Sequence, residues 1–325
     1  MKYVPLGATG VKVSELCLGT MSFGGEADEA EATAIYKACR DRGVNFFDCA
    51  DVYAGGRSEE VLGRLIKGER DSLVITSKCH GRTGDDINDR GNNRRHIMTA
   101  VEASLKRLGT DRLDVYFLHH FDPAQPIEEM LRALENLVQH GKVLYLGCSN
   151  YAAWQIAKAL GISERRGWSR FDVIQPMYSL LKRQAETEIL PLAAEEDLGV
   201  ITYSPIAGGV LSGKYAPGTA PNAGRLVTHH KYADRYGEEG TLETAQSFAA
   251  YARENGYHPI SLAVAWVKAH PAVTAPIIGT RTAEQIVPSL DAADIDLTPD
   301  ERAAVSALSR TPPPATDRRE EQLEG

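Results

Sequence analysis

The stretch "NFFDCADVY" (residues 45–53) combines an apolar run with polar side chains at its end. Phe46 and Phe47 are typical of a buried β-strand, whereas Asp48 ends the run and Tyr53 follows five residues later. A carboxylate and a phenol after so apolar a strand indicate a functional site only if other strands of the chain end in the same way.

Short apolar runs recur along the chain and alternate with stretches that carry apolar residues at helical spacing. The runs are "ELCLGT" (15–20), "VNFFD" (44–48), "LVITSK" (73–78), "DVYFLH" (114–119), "VLYLGCSN" (143–150), "DVIQ" (172–175), "GVITYS" (199–204) and "TAPIIG" (274–279). The helical stretches are residues 29–42, 58–68, 94–108, 127–140, 151–160 and 184–196. Eight such runs predict an α/β fold, a (β/α)8 TIM barrel. The alternative is an open doubly wound sheet, which would place GxGxxG after its first strand, whereas this chain has "GTMSFGG".

Nothing in the composition divides the chain, so we expect residues 1–325 to form a single barrel domain with an N-terminal β-hairpin. The C-terminal tail, residues 311–325, is rich in proline and charged residues, and we expect it to be partly disordered.

Local patterns predict where two helices begin. Ser58 precedes Glu59 and Glu60, whose negative charges suit the first turn of a helix. Thr298 and Glu301 have the spacing of a capping box, with proline between them at the first helical position. We therefore expect Ser58 and Thr298 to act as N-caps.

Charge and composition exclude several classes of protein. The net charge is -8 without long runs of like charge, which argues against a nucleic-acid partner. No run of about 18 apolar residues predicts a membrane span, and "MKYVPLGATG" lacks the apolar core of a signal peptide. The five cysteines are odd in number and show no CxxC spacing, so we expect reduced thiols in a cytoplasmic protein.

Polar residues end six consecutive apolar runs. They are Asp48, Lys78, His119, Ser149 with Asn150, Gln175 and Tyr203, and Tyr53 lies in the loop after Asp48. The C-terminal ends of barrel strands meet on one face, where the active sites of such barrels are built. A single polar strand end is usually an ordinary loop residue, but six at the same level predict a shared site.

These residue types suit the reduction of a carbonyl group. A phenol titrates near pH 10, and an adjacent ammonium lowers that pKa, so Lys78 is expected to make Tyr53 a better proton donor. Asp48 could keep Lys78 charged and oriented, and His119 could donate a hydrogen bond to a substrate oxygen. The hydride that reaches the carbonyl carbon would have to come from a cofactor.

From "LGATGVKVSELCLGTMSFGG" to about residue 295 the chain resembles the aldo-keto reductases. The motifs that carry the resemblance are "FFDCADVYAGGRSEEVLG", "KRLGTDRLDVYFLHH", "GKVLYLGCSN", "QPMYSLLKR", "YSPIAGGVLSGKY" and "IIGTRTAEQI". The resemblance implies a (β/α)8 barrel that reduces aldehydes or ketones with NADPH, and it implies a catalytic tetrad of Asp48, Tyr53, Lys78 and His119. His119 rather than His120 matches the family, because His119 ends the "LDVYFL" strand.

The resemblance also implies where the cofactor binds. Ser149, Asn150 and Gln175 match groups that bond the nicotinamide carboxamide, and Tyr203 matches the aromatic residue that stacks on the nicotinamide ring. The full set of implied cofactor contacts comprises Gly19, Thr20, Met21, Asp48, Ser149, Asn150, Gln175, Tyr203, Ser204, Pro205, Ile206, Gly209, Leu211, Gly213, Lys214, Ile278, Gly279, Thr280, Arg281 and Gln285. The implied substrate contacts are Met21, Phe23, Tyr53 and His119.

The cofactor preference depends on the segment near the C-terminus. Arg281 precedes a helix whose N-terminus would suit the 2′-phosphate of NADP. Pro288 and Ser289 stand where the family often has Glu-Asn at the adenine. NADP(H) is therefore the expected cofactor, and NAD(H) stays open.

Two other functions stay open besides the enzyme. A cofactor-binding regulatory subunit, such as the ion-channel β subunits of this superfamily, would keep the same barrel and tetrad. The pair His119 and His120 in "HHFD" could suggest a metal-dependent hydrolase, but Lys78 would repel a cation, so we expect no metal. His120 is expected in a second layer or in the core. The expected partner is a small-molecule carbonyl compound rather than a nucleic acid or a membrane, and these motifs do not specify the carbonyl, the physiological direction or the oligomeric state.

Overall fold

The computed structural model describes residues 1–215, 226, 230–316 and 318, and in this part of the chain the eight predicted runs form a closed parallel barrel. An antiparallel hairpin, β1 (Tyr3–Pro5) and β2 (Lys12–Ser14), precedes the barrel. The barrel strands are β3 (Cys17–Gly19), β4 (Phe46–Asp48), β5 (Val74–Cys79), β6 (Leu113–Leu118), β7 (Val143–Ser149), β8 (Phe171–Gln175), β9 (Gly199–Thr202) and β10 (Ala275–Ile278). They follow chain order around the barrel, and β10 pairs with β3 to close it. The prediction of a (β/α)8 TIM barrel with an N-terminal hairpin is confirmed.

Helices connect the strands and cover the outside of the barrel. Within the described residues they are α1 (Glu29–Asp41), α2 (Arg57–Leu65), α3 (Arg94–Leu108), α4 (Ile127–Gln139), α5 (Ala153–Arg166), α6 (Ile189–Glu195), α7 (His230–Tyr236), α8 (Thr241–Glu254), α9 (Pro259–Lys268), α10 (Ala283–Leu290) and α11 (Pro299–Ser306). Each of the six predicted helical stretches overlaps one of these helices, although α6 is shorter than predicted because residues 184–186 form a separate 3-10 turn.

The hydrophobic core has two layers, and the opening stretch contributes to both of them. Phe46 belongs to the cluster inside the barrel, together with Leu6 and Val13 from the hairpin segment. Phe47 belongs to the larger cluster between the strands and the helices. This alternation is the two-residue period of a strand, and it turns Asp48 back toward the barrel axis.

One predicted helix start is confirmed and the other is wrong. The side chain of Thr298 accepts a hydrogen bond from the Glu301 amide, and the Glu301 carboxylate accepts one from the Thr298 amide, which completes the capping box. Helix α2 instead begins at Arg57, after Gly56 with a φ of 93°. Ser58 is buried, and its Oγ donates to the backbone oxygen of Thr20 at 2.7 Å. This hydroxyl therefore ties α2 to β3 rather than capping a helix.

Further expectations concern cysteines, membranes and the tail. All five cysteines lie among the described residues, where each is buried and free. No helix within the described ranges is long and apolar enough to span a bilayer.

The predicted disorder of the tail falls largely on residue 317 and residues 319–325, which lie outside the described residues. Nearer the helices, the Pro313 oxygen accepts a hydrogen bond from Thr187 Oγ1 at 3.2 Å.

Candidate active site

The polar strand ends meet at one mouth of the barrel because the strands are parallel and in register. Asp48 lies opposite Thr76 of β5, and Ser149 of β7 lies opposite Gln175 of β8. Gln175 Nε2 donates to Asp48 Oδ1 at 2.9 Å across the barrel, although 127 residues separate them in sequence. Thr76 Oγ1 donates to the same oxygen at 2.8 Å.

Lys78 forms the centre of this cluster. Its Nζ donates to Asp48 Oδ2 at 2.6 Å, to the Cys49 backbone oxygen at 2.6 Å and to Tyr53 OH at 3.3 Å. The Lys78 side chain has no exposed surface and that of Asp48 is 3% exposed. The pair is thus fully desolvated, and its three acceptors fix the ammonium beside the phenol.

The electrostatics of Tyr53 differ from the sequence-based expectation. Burial is the largest single influence on the pKa of Lys78 and would lower it, but the Asp48 carboxylate and the neighbouring Tyr53 and Cys49 together raise that pKa above its usual value. Burial raises the pKa of the Tyr53 hydroxyl to about 12, and Lys78 only limits the rise. The expected lowering of the Tyr53 pKa is therefore wrong in net direction, because desolvation exceeds the effect of the ammonium. Tyr53 is protonated at neutral pH.

His119 lies immediately after β6 and faces Tyr53. The two rings have centroids 6.0 Å apart in an edge-on arrangement. Burial, followed by the Lys78 ammonium, lowers the pKa of His119 to about 2, so the imidazole is neutral at any working pH. His120 stacks on His119 with centroids 5.0 Å apart, and His80 packs against His120 at 5.3 Å. His120 is exposed, so a core position for it is wrong, but it does contact a predicted site residue.

Asn150 has a strained backbone at the next strand end. Its φ is 58°, which is uncommon for a residue other than glycine. Asn150 Nδ2 donates to the His119 oxygen at 2.9 Å and to Ser149 Oγ at 3.1 Å, while its Oδ1 accepts from Tyr203 OH at 2.6 Å. These bonds hold a conformation that costs free energy, a feature that is concentrated at functional sites.

The segment after β9 exposes backbone groups in a tight curve. Ser204 and Ala207 have φ values of 61° and 51°, and Gly208 and Gly209 follow with 66° and 94°. A Cβ on Gly209 would lie 2.8 Å from Lys214 Nζ, so the ammonium occupies the space that a side chain would fill. Bare backbone beside an ammonium suits close approach of a pyrophosphate.

The N-terminus of α10 lies at the predicted phosphate end of the cofactor site. The Thr282 side chain caps the helix by accepting from the Gln285 amide at 3.4 Å, while Gln285 Oε1 accepts from Thr280 Oγ1 at 3.0 Å. Helix α10 ends two residues after Pro288, and Ser289 is 4% exposed. Ser289 is therefore turned into the core, where the family pattern would have an adenine contact.

The predicted contacts near β3 divide into exposed and buried groups. Met21 is 42% exposed, whereas Phe23 has no exposed surface and packs within the outer core. The amide and the hydroxyl of Thr20 both donate to the Asp48 backbone oxygen, at 2.9 and 3.0 Å. Gly19 packs so tightly that a Cβ there would lie 2.6 Å from Ile277. The Met21 side chain is thus open to solvent, whereas that of Phe23 packs in the core and does not line an open pocket.

Sequence reasoning missed a buried acidic pair beneath the site. Asp51 and Glu59 are 2% and 0% exposed. Glu59 Oε2 accepts from Arg107 at 2.7 Å and its Oε1 from Ser77 at 2.5 Å, although the helical pattern predicted an exposed first-turn charge. The Asp51 amide donates to the Lys78 oxygen at 3.2 Å. No local pattern marks these residues, because their burial depends on how α2 and α3 pack on the barrel.

The donor set suits a nicotinamide dinucleotide better than a metal ion. An oriented carboxamide from Gln175, the strained Asn150, an aromatic Tyr203 and the bare backbone at Gly209 follow one another along the barrel mouth. In the part of the chain that the structure describes, no group of three or more His, Cys, Asp or Glu side chains could hold a metal ion. The sequence predicts that Ser149, Asn150, Gln175 and Tyr203 face the nicotinamide half of the cofactor.

The fold is thus a closed (β/α)8 barrel whose mouth holds the buried Lys78–Asp48 ion pair beside Tyr53 and His119. The sequence profile of the Aldo/keto reductase family matches residues 15–310. A probable voltage-gated potassium channel subunit beta of Oryza sativa subsp. japonica is 38% identical over 98% of this chain and 99% of that protein.

Two further relatives are named as enzymes. The uncharacterized oxidoreductase YrpG of Bacillus subtilis (strain 168) is 40% identical over 91% of this chain and 92% of that protein. The versiconal hemiacetal acetate reductase of Aspergillus parasiticus is 31% identical over 93% and 95%. The chain therefore belongs to the aldo/keto reductase family, and it is an NAD(P)H-dependent reductase that acts on small-molecule carbonyl compounds.

Proposed function

We propose that the chain reduces an aldehyde or ketone to an alcohol with NADPH, and that Tyr53 donates the proton. The observation that carries this proposal is the buried triad in which Lys78 Nζ joins Asp48 Oδ2 and Tyr53 OH at the barrel mouth. The bound cofactor would supply a hydride to the carbonyl carbon. The protein must then protonate the carbonyl oxygen and stabilise the charge that develops on it.

Tyr53 is suited to donate that proton because it is protonated and adjacent to a fixed cation. With a pKa of about 12 its hydroxyl keeps its proton in the resting site. As negative charge develops on the substrate oxygen, proton transfer from Tyr53 leaves a phenolate 3.3 Å from the Lys78 ammonium. The ion pair with Asp48 keeps that ammonium charged and in place, so it stabilises the phenolate when it forms.

His119 would orient the substrate rather than exchange protons. A pKa of about 2 keeps its imidazole neutral, so one ring nitrogen carries a proton and can donate a hydrogen bond. The ring stands edge-on to Tyr53. A carbonyl oxygen held between the imidazole and the phenol would accept from both groups, which fixes the face that is open to hydride.

The remaining site residues would hold the cofactor. Ser149, Asn150 and Gln175 would bond its carboxamide, and Tyr203, which is anchored to Asn150 Oδ1, would stack on its ring. Arg281, next to the N-terminus of α10, would pair with the 2′-phosphate. The wider set from β3, the segment after β9 and the segment after β10 would contact the rest of the dinucleotide.

The test replaces Tyr53 by Phe and measures both binding and turnover. NADPH affinity, followed by tryptophan fluorescence, should stay within about twofold, and turnover on aromatic aldehydes, sugars, quinones and dicarbonyls should fall at least about 100-fold. Tyr3→Phe is a matched control, because it removes an exposed hydroxyl that donates to the Gly43 oxygen. Full turnover by the Tyr53→Phe variant would refute the assignment.

A regulatory subunit is the second candidate, because relatives named as potassium channel β subunits match almost the full chain. Besides the rice protein, an Arabidopsis thaliana relative so named is 39% identical over 91% of this chain. Tight NADP(H) binding without turnover on the whole carbonyl panel would favour this function. Turnover that depends on Tyr53 would favour the enzyme.

A further inference from the structure

Two carboxylates from the segment around the start of α1 face the N-terminal end of α10. Arg281 Nη1 lies 3.8 Å from Glu26 Oε1, with side chains 38% and 36% exposed. The backbone amide of Ala283, at the first position of α10, donates to Glu31 Oε2 at 2.9 Å. More than 240 residues separate these partners in sequence, so only the closed barrel brings them together.

The proposed function assigns Arg281 to the 2′-phosphate of NADPH, and the first amide of α10, that of Ala283, follows two residues further along the chain. Both already face a carboxylate of the protein itself. A phosphate that approaches Arg281 must compete with Glu26 and also bear the repulsion of both negative side chains. The ribose 2′-hydroxyl of NADH brings no negative charge, and it can donate a hydrogen bond to a carboxylate.

Known dinucleotide sites separate these two chemistries. An acidic side chain that bonds the 2′-hydroxyl favours NAD, whereas an arginine accommodates the 2′-phosphate of NADP. Here the arginine and an acidic side chain occupy the same subsite. The arginine therefore favours NADP, while the acidic side chain favours NAD.

We propose, on the basis of the function proposed above, that Glu26 is a specificity-determining residue that competes with the 2′-phosphate for Arg281. Glu31 strengthens the effect by occupying the first amide of α10. The site consequently accepts NADPH and NADH with similar affinity, despite the presence of Arg281. Glu26 affects cofactor preference by weakening the binding of NADPH, and it takes no part in the reaction itself.

The experiment compares equilibrium binding of NADPH and NADH, by tryptophan fluorescence and calorimetry, in the wild type and three variants. Glu26→Gln should raise the NADPH affinity about tenfold and leave the NADH affinity unchanged or lower. Glu31→Gln keeps an acceptor for the Ala283 amide but loses the charge, so it should shift the ratio in the same direction. Glu29→Gln is the matched control, since Glu29 begins α1, is exposed and pairs with Arg64 instead.

The outcomes separate this inference from the proposed function. In the wild type the two dissociation constants should lie within about tenfold of each other, and a larger preference for NADPH would overturn the inference. If the protein binds both cofactors, but Glu26→Gln and Glu29→Gln change the ratio of the two dissociation constants equally, the inference would also be overturned. The proposed function would then stay intact. Failure of the wild type to bind either cofactor would overturn both.

Discussion

Asp51 is a buried carboxylate whose negative charge is poorly stabilised by the surrounding residues. Its side chain lies beneath the barrel mouth with 2% exposure, and within the described chain neither of its oxygens accepts a well-formed hydrogen bond. Burial raises the pKa of Asp51 to about 7, the Glu59 carboxylate adds to the rise, and Arg107 and the Val52 amide oppose it. An ionised Asp51 should therefore destabilise the folded protein.

The sign and size of the effect follow from the shift in pKa. Between the unfolded value of 3.8 and the folded value of about 7, the folded chain retains a proton that the unfolded chain has released. The free energy of unfolding therefore decreases as the pH rises through this range, and the full penalty is present above it. A shift of this size corresponds to about 4 kcal/mol.

Replacing Asp51 by Asn removes the charge and keeps the shape, so the penalty at high pH should disappear. Urea unfolding at pH 5 and pH 8 gives the free energies of unfolding of the variant and of the wild type. The value for the variant minus the value for the wild type should increase by about 2.5 kcal/mol from pH 5 to pH 8. Comparison of the two pH values cancels any constant cost of burying the amide.

A matched control uses an aspartate without burial. The side chain of Asp85 is fully exposed, and Asp85→Asn should change stability by the same small amount at both pH values. If the Asp51→Asn difference is equally independent of pH, Asp51 does not carry the buried charge that its surroundings indicate, and the reasoning fails.

Three further predictions concern Lys78 of the proposed triad, the proposed cofactor site and the barrel core. Lys78→Met should lower single-turnover rates by at least about 100-fold, since it removes the cation that opposes the rise in the Tyr53 pKa; unchanged stopped-flow rates would contradict this role. Asn150→Ala should weaken NADPH binding about tenfold in a fluorescence titration, because it removes the hydrogen bonds that hold the strained strand end, and an unaltered dissociation constant would argue against the assignment. Gly147→Ala should destabilise the fold by about 1–3 kcal/mol, because the new Cβ would lie 2.4 Å from a Phe117 ring carbon, and an unchanged melting temperature would disprove this.

The periodicity of the chain was sufficient to predict the barrel. The apolar run in "NFFD" was predicted to be a buried strand that ends at Asp48, and the structure confirms that strand as β4. Strand periodicity and strand ends are local properties, so they can be recognised without knowing which strands are neighbours. For the same reason the capping box at Thr298 was correctly predicted.

The sequence by itself thus determined the barrel and the polar residues that end its strands, whereas the environment of those residues came only from the tertiary structure. The net rise in the Tyr53 pKa results from a balance between burial and the Lys78 ammonium. Neither the burial of Tyr53 nor its distance from Lys78 can be read from the sequence. The burial of Ser58 and Glu59, and the contact between Glu26 and Arg281, depend on how segments remote in sequence pack together. Electrostatic effects follow distance and solvent exposure in space, and these are decided only when the barrel closes.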